Sequence, residues 1–324
     1  MKNQLRAYFA SDWFGPAAIC VLAVFCIGML NSSFLSPLAL NALLLAVALN
    51  GVIVLSQMVV IAIGQMNLSV GAIGGFAAIS FAGLMEVFKI SPVFAAAIAI
   101  LIGILAGFFN GWLIATTGIS AFVITLANLS LFKGINLGIT SAQPFYAVPE
   151  VVKSFGSDSV FVIVPLLLIP TLIVSVALWL LLTRIPLGRN ILAVGANPSS
   201  VILSGVSLKW TVVSAHVISG ALAALAGIMA VARLQIGQPT IGDDWLLLSF
   251  AAPVIGGAVL AGGHVSVGAT LWGVALVAII TQALVLFQID PYLVQAVLGA
   301  LILWAVGINR LRETRARRSG GRTA

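Results

Sequence analysis

The sequence predicts an all-α, polytopic membrane protein, a single bundle of about ten transmembrane helices. Three observations predict it. Hydrophobic residues make up 61% of the 324-residue chain and charged residues only 7%, with a mean hydropathy of +1.21. A soluble domain carries roughly 25% charged residues, so this chain has too little charge to wet its own surface. Runs of about 20 apolar residues recur along its length, each long enough to cross roughly 30 Å of hydrocarbon as a helix. The runs are continuously apolar and lack the alternating segments of about 10 residues that a membrane barrel needs, so helices must satisfy the backbone in lipid.

Taken in order, the spans are expected at about 14–30, 39–63, 70–86, 92–115, 119–139, 160–182, 210–232, 245–261, 266–287 and 291–308. The N-terminus MKNQLRAYFASDWFGPAAIC begins basic but runs on without an A-x-A-like cleavage site, and reads as a retained first span. Cys20 and Cys26 fall in that span with no metal-ligand pattern around them. Asn31, Ser32, Ser33 and Pro37 end it. Ser91-Pro92 opens the fourth span and Asp290-Pro291 the tenth, with proline near the first turn, where its missing N–H costs nothing. Gly103, Gly107 and Gly111 recur every four residues on the fourth helix, and Gly134 and Gly138 do so on the fifth. Both sets predict small-xxx-small packing faces. The tetrapeptide SVGA occurs at Ser69–Ala72 and again at Ser266–Ala269, too short a match to establish a duplication.

Ten spans put both termini on one side. Eleven of the fifteen basic residues then collect there: Lys2, Arg6, Arg184, Arg189, Lys209 and six arginines of the tail RLRETRARRSGGRTA. Lys89, Lys133, Lys153 and Arg233 fall opposite, together with six of the eight acids. The positive-inside rule makes the terminal side cytoplasmic. The basic tail, 310–324, is a topology anchor for anionic lipid, and no nucleic-acid role is expected. Two loops are long, an outer one at 141–159 and an inner one at 183–210.

The polar residues inside this apolar chain are its candidate functional groups. GQMNLSVG, Gly64–Gly71, places Gln65, Asn67 and Ser69 between two apolar runs. One reading is a cytoplasmic-side turn in which Asn67 accepts from the Ser69 or Val70 N–H and caps the next helix. The other puts these neutral hydrogen-bonding groups on a translocation path, where they would hold a polyhydroxylated solute without trapping it. The two are compatible, because polar backbone at membrane depth is tolerated only against protein or a wet cavity. Asn110, Asn128 and His216 lie within spans and either face such a path or bond helix to helix. Lys133 lies toward the outer end of the fifth helix, placed to snorkel.

In the inner loop, Asn197-Pro198 starts a short helix and Ser204-Gly205 stops it. Beside Arg189, that helix is either a lever that docks into a partner or an amphipathic turn resting on headgroups. Here the sequence resembles the permeases of ribose/xylose-type sugar ABC importers. Gly188-Arg189, Ala193-Val194-Gly195-Ala196-Asn197 and Ser204-Gly205-Val206 are similar to that family's cytoplasmic coupling segment. Ser219–Gly273 carries its S-G-x-x-A-x-x-A-G-x-x-x-x-[AS]-R and [IV]-[IL]-G-G-x-x-[LM]-x-G-G signatures, and GQMNLSVG is similar to its G-G-I-D-L-S-V-G. Together these cover about Leu40 to Leu311. The sequence departs from the pattern at Gln65, where glycine is usual, at Asn67, where aspartate is usual, and at His264, where lysine or arginine is common. The departures leave the solute open.

The resemblance implies a type II-like permease of the bacterial inner membrane, one domain over 1–324, that uses no cofactor and is not an enzyme. Its implied partners are a pair of ATP-binding subunits, a second permease chain, identical or paralogous, and a periplasmic solute-binding protein. Arg189, Asn197, Pro198, Ser204 and Gly205 would couple to the ATPase. Gln65, Asn67, Ser69, Asn110 and Asn128 would line the path. Glu150, Lys153, Arg233, Asp243 and Asp244 would receive the binding protein by charge matching, or are ordinary loop charges. No G-x-x-x-x-G-K-[ST] occurs, so the chain has no P-loop of its own. The alternative is a stand-alone secondary transporter or facilitator. Ion-coupled carriers keep acids near the midplane, and all eight acids are expected outside it. An intramembrane enzyme would need convergent ionisable groups at depth, where only His216 and Lys133 are at hand.

Overall fold

The computed structural model describes residues 13–289 and the isolated residues 293, 296, 299, 300, 303 and 307. Apart from those, the tenth expected span lies outside the described residues, as do the basic tail and Lys2, Arg6, Asp12 and Asp290.

The break residues fold as their chemistry dictates. Helix α1, Phe14–Leu30, ends where Asn31 Oδ1 accepts from Ser33 N (3.0 Å) and starts the 3-10 turn Ser32–Leu35. Ser36 Oγ then accepts from Ala39 N (3.3 Å), capping α2, Pro37–Ala62. From Gly51 to Ala62 every residue of α2 is buried, so its second half is the axis of the bundle. Next come α3, Val70–Glu86, α4, Pro92–Thr117, and α5, Ala121–Thr140. The outer loop holds α6, Glu150–Ser157, and a small antiparallel hairpin of β1, Ser159–Val160, and β2, Val164–Pro165. Helix α7, Leu168–Arg184, bends by 72° into α8, Pro186–Ala196, and α9, Pro198–Leu203, follows. The chain continues through α10, Leu208–Leu234, α11, Trp245–Ile255, and α12, Val267–Leu286.

Five helices, α2, α4, α5, α10 and α12, are long and apolar enough to cross a membrane, and six if the bent α7–α8 pair is one span. The expected count of about ten is therefore not reached among the described residues: α1, an apolar helix of 17 residues, falls short of that length, and three further segments do so for local reasons. The expected sixth span, 160–182, begins as the hairpin, and its helix starts only at Leu168. The expected eighth span, 245–261, is helical only to Ile255. At 1.5 Å per residue its helix is about 16 Å long, half the hydrocarbon thickness. Beyond it Gly257 (φ +85°), Gly262 (φ +93°) and Gly263 (φ +83°) turn the chain in left-handed conformations that residues with a Cβ rarely adopt. Helix α3, at 17 residues, is short because it starts inside the bundle, as described below. The inner loop is also more ordered than expected, being mostly α8 and α9.

The glycine periodicity of α4 builds the main packing. Helices α4 and α10 run antiparallel, with Gly103 against the Gly220 carbonyl, Gly107 against that of His216 and Gly111 against the Val213 backbone. Without a hydrophobic drive inside lipid, close van der Waals approach is what holds helices together, and only glycine permits it here. On α5 the same spacing does nothing comparable: a Cβ at Gly134 or Gly138 would meet no described atom within 4 Å. That expected packing face is corrected to an open one.

Candidate functional site

Two connectors fold back into the bundle and meet there. The first joins α2 to α3. Gly64 (φ +72°) and the Gln65 N–H bond to Val60 O (3.1 Å) reverse the chain. It then climbs alongside α2, so that Asn67 lies against Gln57. In the amide orientation that satisfies both groups, Gln57 donates to Asn67 O (3.0 Å) and accepts from Asn67 N (3.2 Å). Asn67 Nδ2 donates to Ser219 Oγ (3.1 Å), while its Oδ1 accepts from Ser69 N (3.1 Å) and Ser69 Oγ (2.7 Å). The network runs on: Asn110 Nδ2 donates to Ser69 Oγ (2.8 Å), Asn128 Nδ2 donates to Asn110 Oδ1 (2.6 Å), and Ser56 Oγ donates to Ser219 O (2.9 Å). Thr125 Oγ1 accepts from Leu68 N (3.1 Å). Gln65 stands beside this network, its Oε1 3.0 Å from His216 Nε2.

The expected bond from the Ser69 N–H to Asn67 is present, just ahead of the helix rather than as its side-chain cap, and the polar side chains lie inside the bundle. Ser219 is the twelfth of the 27 residues of α10, so the polar knot lies near mid-length of that helix. Ser56, Gln57, Asn67, Ser69 and Asn110 are fully buried, and Asn128 nearly so. In this conformation the network joins α2, α3, α4, α5 and α10, and its members satisfy one another, as polar groups sealed from water must.

The second connector joins α10 to α11. After Gln235 (φ +60°) the chain descends, tied to α5 where Asn136 Nδ2 donates to Pro239 O (3.1 Å). Gly242 (φ +95°) then packs on Gly71; a Cβ on either would strike the other's carbonyl oxygen. Trp245, buried, lays its ring against Gly74, whose other neighbour is Ala223 of α10. The N-termini of α3 and α11 therefore both start near mid-length of α10. Such ends carry unpaired N–H groups and partial positive charge, which favour acids nearby. Asp243 and Asp244 precede α11, and Lys133 Nζ of α5 donates to both oxygens of Asp243 at 2.9 Å. Lys133 thus pairs with Asp243 across the bundle rather than snorkelling, and Asp243 is carried down from the outer side to near mid-length of α10, which corrects the expectation that all eight acids lie away from that depth.

A third meeting point is made of backbone alone. Gly263 N donates to Ala62 O (2.9 Å) at the end of α2. Gly195 of α8 sits on that bond, so that a Cβ there would overlap Ala62 O. Gly64 packs against Ala261 and Gly262. The α2–α3 connector, α8 and the loop 256–266 thus touch at one junction. From α8 the chain passes into α9, where Asn197 Oδ1 accepts from Ser200 N (3.1 Å) and Gly205 (φ +78°) ends the helix. Arg189, Asn197, Pro198, Ser204 and Gly205 are all exposed on this side, and the tip of α9 presents Ile202 and Leu203, 56% and 90% exposed.

Of the remaining expected residues, Glu150 and Lys153 form a 4.0 Å pair on α6. Arg233 ends α10 beside them, since Gly156 packs on the Ala232 carbonyl. Sequence reasoning missed Ser56, Gln57 and Ser219 as partners of Asn67, the Lys133–Asp243 pair and the glycine junction. The signal for the junction lay in its motifs, which contribute Gly64, Gly195, Gly262 and Gly263. Among the described residues no group of three or more His, Cys, Asp or Glu side chains is placed to hold a metal.

Residues 38–306 match the family described as branched-chain amino acid transport system / permease component. The chain is 34% identical over 315 residues to the ribose import permease protein of Bacillus subtilis, covering 96% of this chain and 97% of that one. It is 33% identical to the D-allose transport system permease protein of Escherichia coli, covering 94% of each. It is 29% identical to the fructose import permease protein of Rhizobium meliloti, covering 91% of this chain and 84% of that one. No solved structure matches.

Proposed function

The chain belongs to the branched-chain amino acid transport system / permease component family, and from that premise we propose that it is the membrane-embedded subunit of an ABC importer for a monosaccharide. One observation carries the reading: the chain matches sugar import permeases nearly end to end, covering at least 84% of each. Those relatives are named for different sugars, so what they share is the solute class. The chain is a permease component and not an enzyme.

Ten crossing segments are proposed within one domain, 1–324. They are α1, α2, α3 with its connector, α4, α5, α7, α10, the second connector with α11, α12, and the expected span 291–308. This arrangement returns both termini to the basic side, the cytoplasm, at a bacterial inner membrane. A pair of ATP-binding subunits docks there on α9, seating Ile202 and Leu203 in an apolar cleft beside Arg189. The α8–α9 segment moves with the ATPase, and the glycine junction passes that movement to the α2–α3 connector. Gln65, Asn67, Ser69, Asn110 and Asn128 are then exchanged between their present bonds and the solute's hydroxyls. A second permease chain completes the path. A periplasmic binding protein seats on the opposite rim, over Glu150, Lys153 and Arg233, with Asp243 and Asp244 beneath them.

Co-purification and reconstitution test the reading. The chain should purify with an ATP-binding subunit. Liposomes holding the complex and its binding protein should take up D-ribose, D-allose or D-fructose only while ATP is hydrolysed. Uptake by the chain alone, without nucleotide, would overturn the proposal in favour of a stand-alone carrier.

A further inference from the structure

Lys133 and Asp243 form the one salt bridge between separate elements among the described residues, and it sits in the wrong place for a surface ornament. Lys133 lies on α5 between Asn128, bonded into the polar knot, and Asn136, which holds Pro239. Asp243 follows Gly242, which packs on Gly71, one helical turn from the contact of Gly74 with Ala223. Both charges therefore stand about half-way along α10, a helix of about 40 Å. Yet their side chains are 43% and 44% exposed. Formal charges at that depth are tolerated against protein or water, and not against hydrocarbon.

We propose that this pair faces the aqueous path and is a contact site for the hydroxyls of a neutral, polyhydroxylated solute. The inference rests on the permease reading and places the site on residues which that reading leaves out of the path. An ammonium has three N–H donors, and Asp243 uses one or two of them; its carboxylate keeps lone pairs free. A sugar hydroxyl both donates and accepts, so it can bridge the two charges. The pair is net neutral and so does not trap ions. One turn along α5, Asn136 Oδ1 is 3% exposed as a residue, sealed from solvent and without a partner among the described residues. It is an acceptor in reserve beside the pair, for Lys133 or for a hydroxyl once the connector shifts. Leu131, 46% exposed and nearly opposite Lys133 around the helix, gives α5 a lipid face as well.

The test uses the assembled complex in a C20S/C26S background. Lys133→Cys and Asp243→Cys should react with a membrane-impermeant cationic methanethiosulfonate at rates within about tenfold of Tyr146→Cys in the outer loop. Leu131→Cys should stay unreacted. In the otherwise unaltered complex, Lys133→Met and Asp243→Asn should each lower uptake of D-ribose, D-allose or D-fructose at least tenfold, with co-purification of the ATPase retained. The exchange Lys133→Asp with Asp243→Lys should recover part of it. A cysteine at 133 as inert as that at 131 would overturn the proposal, and so would full uptake by the neutral variants. Should those variants fail to assemble, the labelling rates decide alone. Labelling reads water access whatever the solute, whereas failure of the permease reading shows as absent uptake by the unaltered complex.

Discussion

Asn67 has a use for each of its polar atoms. Its side chain donates to Ser219 and accepts twice from Ser69, and its backbone amide and carbonyl meet Gln57. Replacing it with alanine strands the Ser69 N–H and a serine hydroxyl in a sealed site, at about 1–3 kcal/mol per unmet group. Asn67→Ala should accordingly unfold in detergent at a markedly lower temperature, measured by scanning the purified complex. Asn67→Asp should be milder, because three of the neighbouring groups can donate to a carboxylate. The expected ordering is unaltered chain, then aspartate, then alanine. Residues such as Asn67, Asn110 and Asn128 were legible in the sequence because an amide inside an apolar run has no cheap alternative to a partner. Ser56 and Ser219 were not, since a helical serine can satisfy itself on its own preceding carbonyl. Lys133 and Asp243 were each visible alone. Their pairing spans 110 residues and depends on a connector whose descent no local pattern announces.

At the scale of elements, the glycines separate by what stands opposite them. A methyl at Gly107 would enter the His216 carbonyl, whereas one at Gly134 would meet nothing described. Gly107→Ala should destabilise the protein by about 1–3 kcal/mol, as overpacking does, and Gly134→Ala should leave its unfolding temperature within a few degrees. Equal spacing in the sequence thus gave two identical expectations and one correct outcome, because periodicity reports a face and not its neighbour. Gly195→Ala is a sharper test of an element's role. It would push α8 off the bond between Gly263 and Ala62 while leaving the exposed tip of α9 untouched. The ATPase should still co-purify, and stimulation of ATP hydrolysis by sugar-loaded binding protein should fall at least tenfold. Leu203→Asp should do the reverse, abolishing co-purification without changing the amount of chain in the membrane. The short helix at Pro198–Leu203 was readable from its asparagine start and glycine stop. The helix α8 before it was missed, because its apolar face is interrupted by Gly188 and Gly195, which read as loop.

At the scale of the whole molecule, composition settled the solvent and the fold class, since nothing with 7% charged residues can face water all round. Counting spans was less secure. Hydropathy averages over a window and cannot tell a helix that crosses from a half-length helix preceded by extended chain, which is what α11 and its connector are. The same two segments have a mechanical consequence. Helices α3 and α11 both begin in the middle layer and run apart from it, one along each half of the bundle. The fold therefore contains a natural seam at that level, stitched by glycine contacts and one network of amides and hydroxyls. Sliding one half against the other would ask those short rods only to pivot at their starting ends, while the glycine-faced pair α4 and α10 stays upright as a mast.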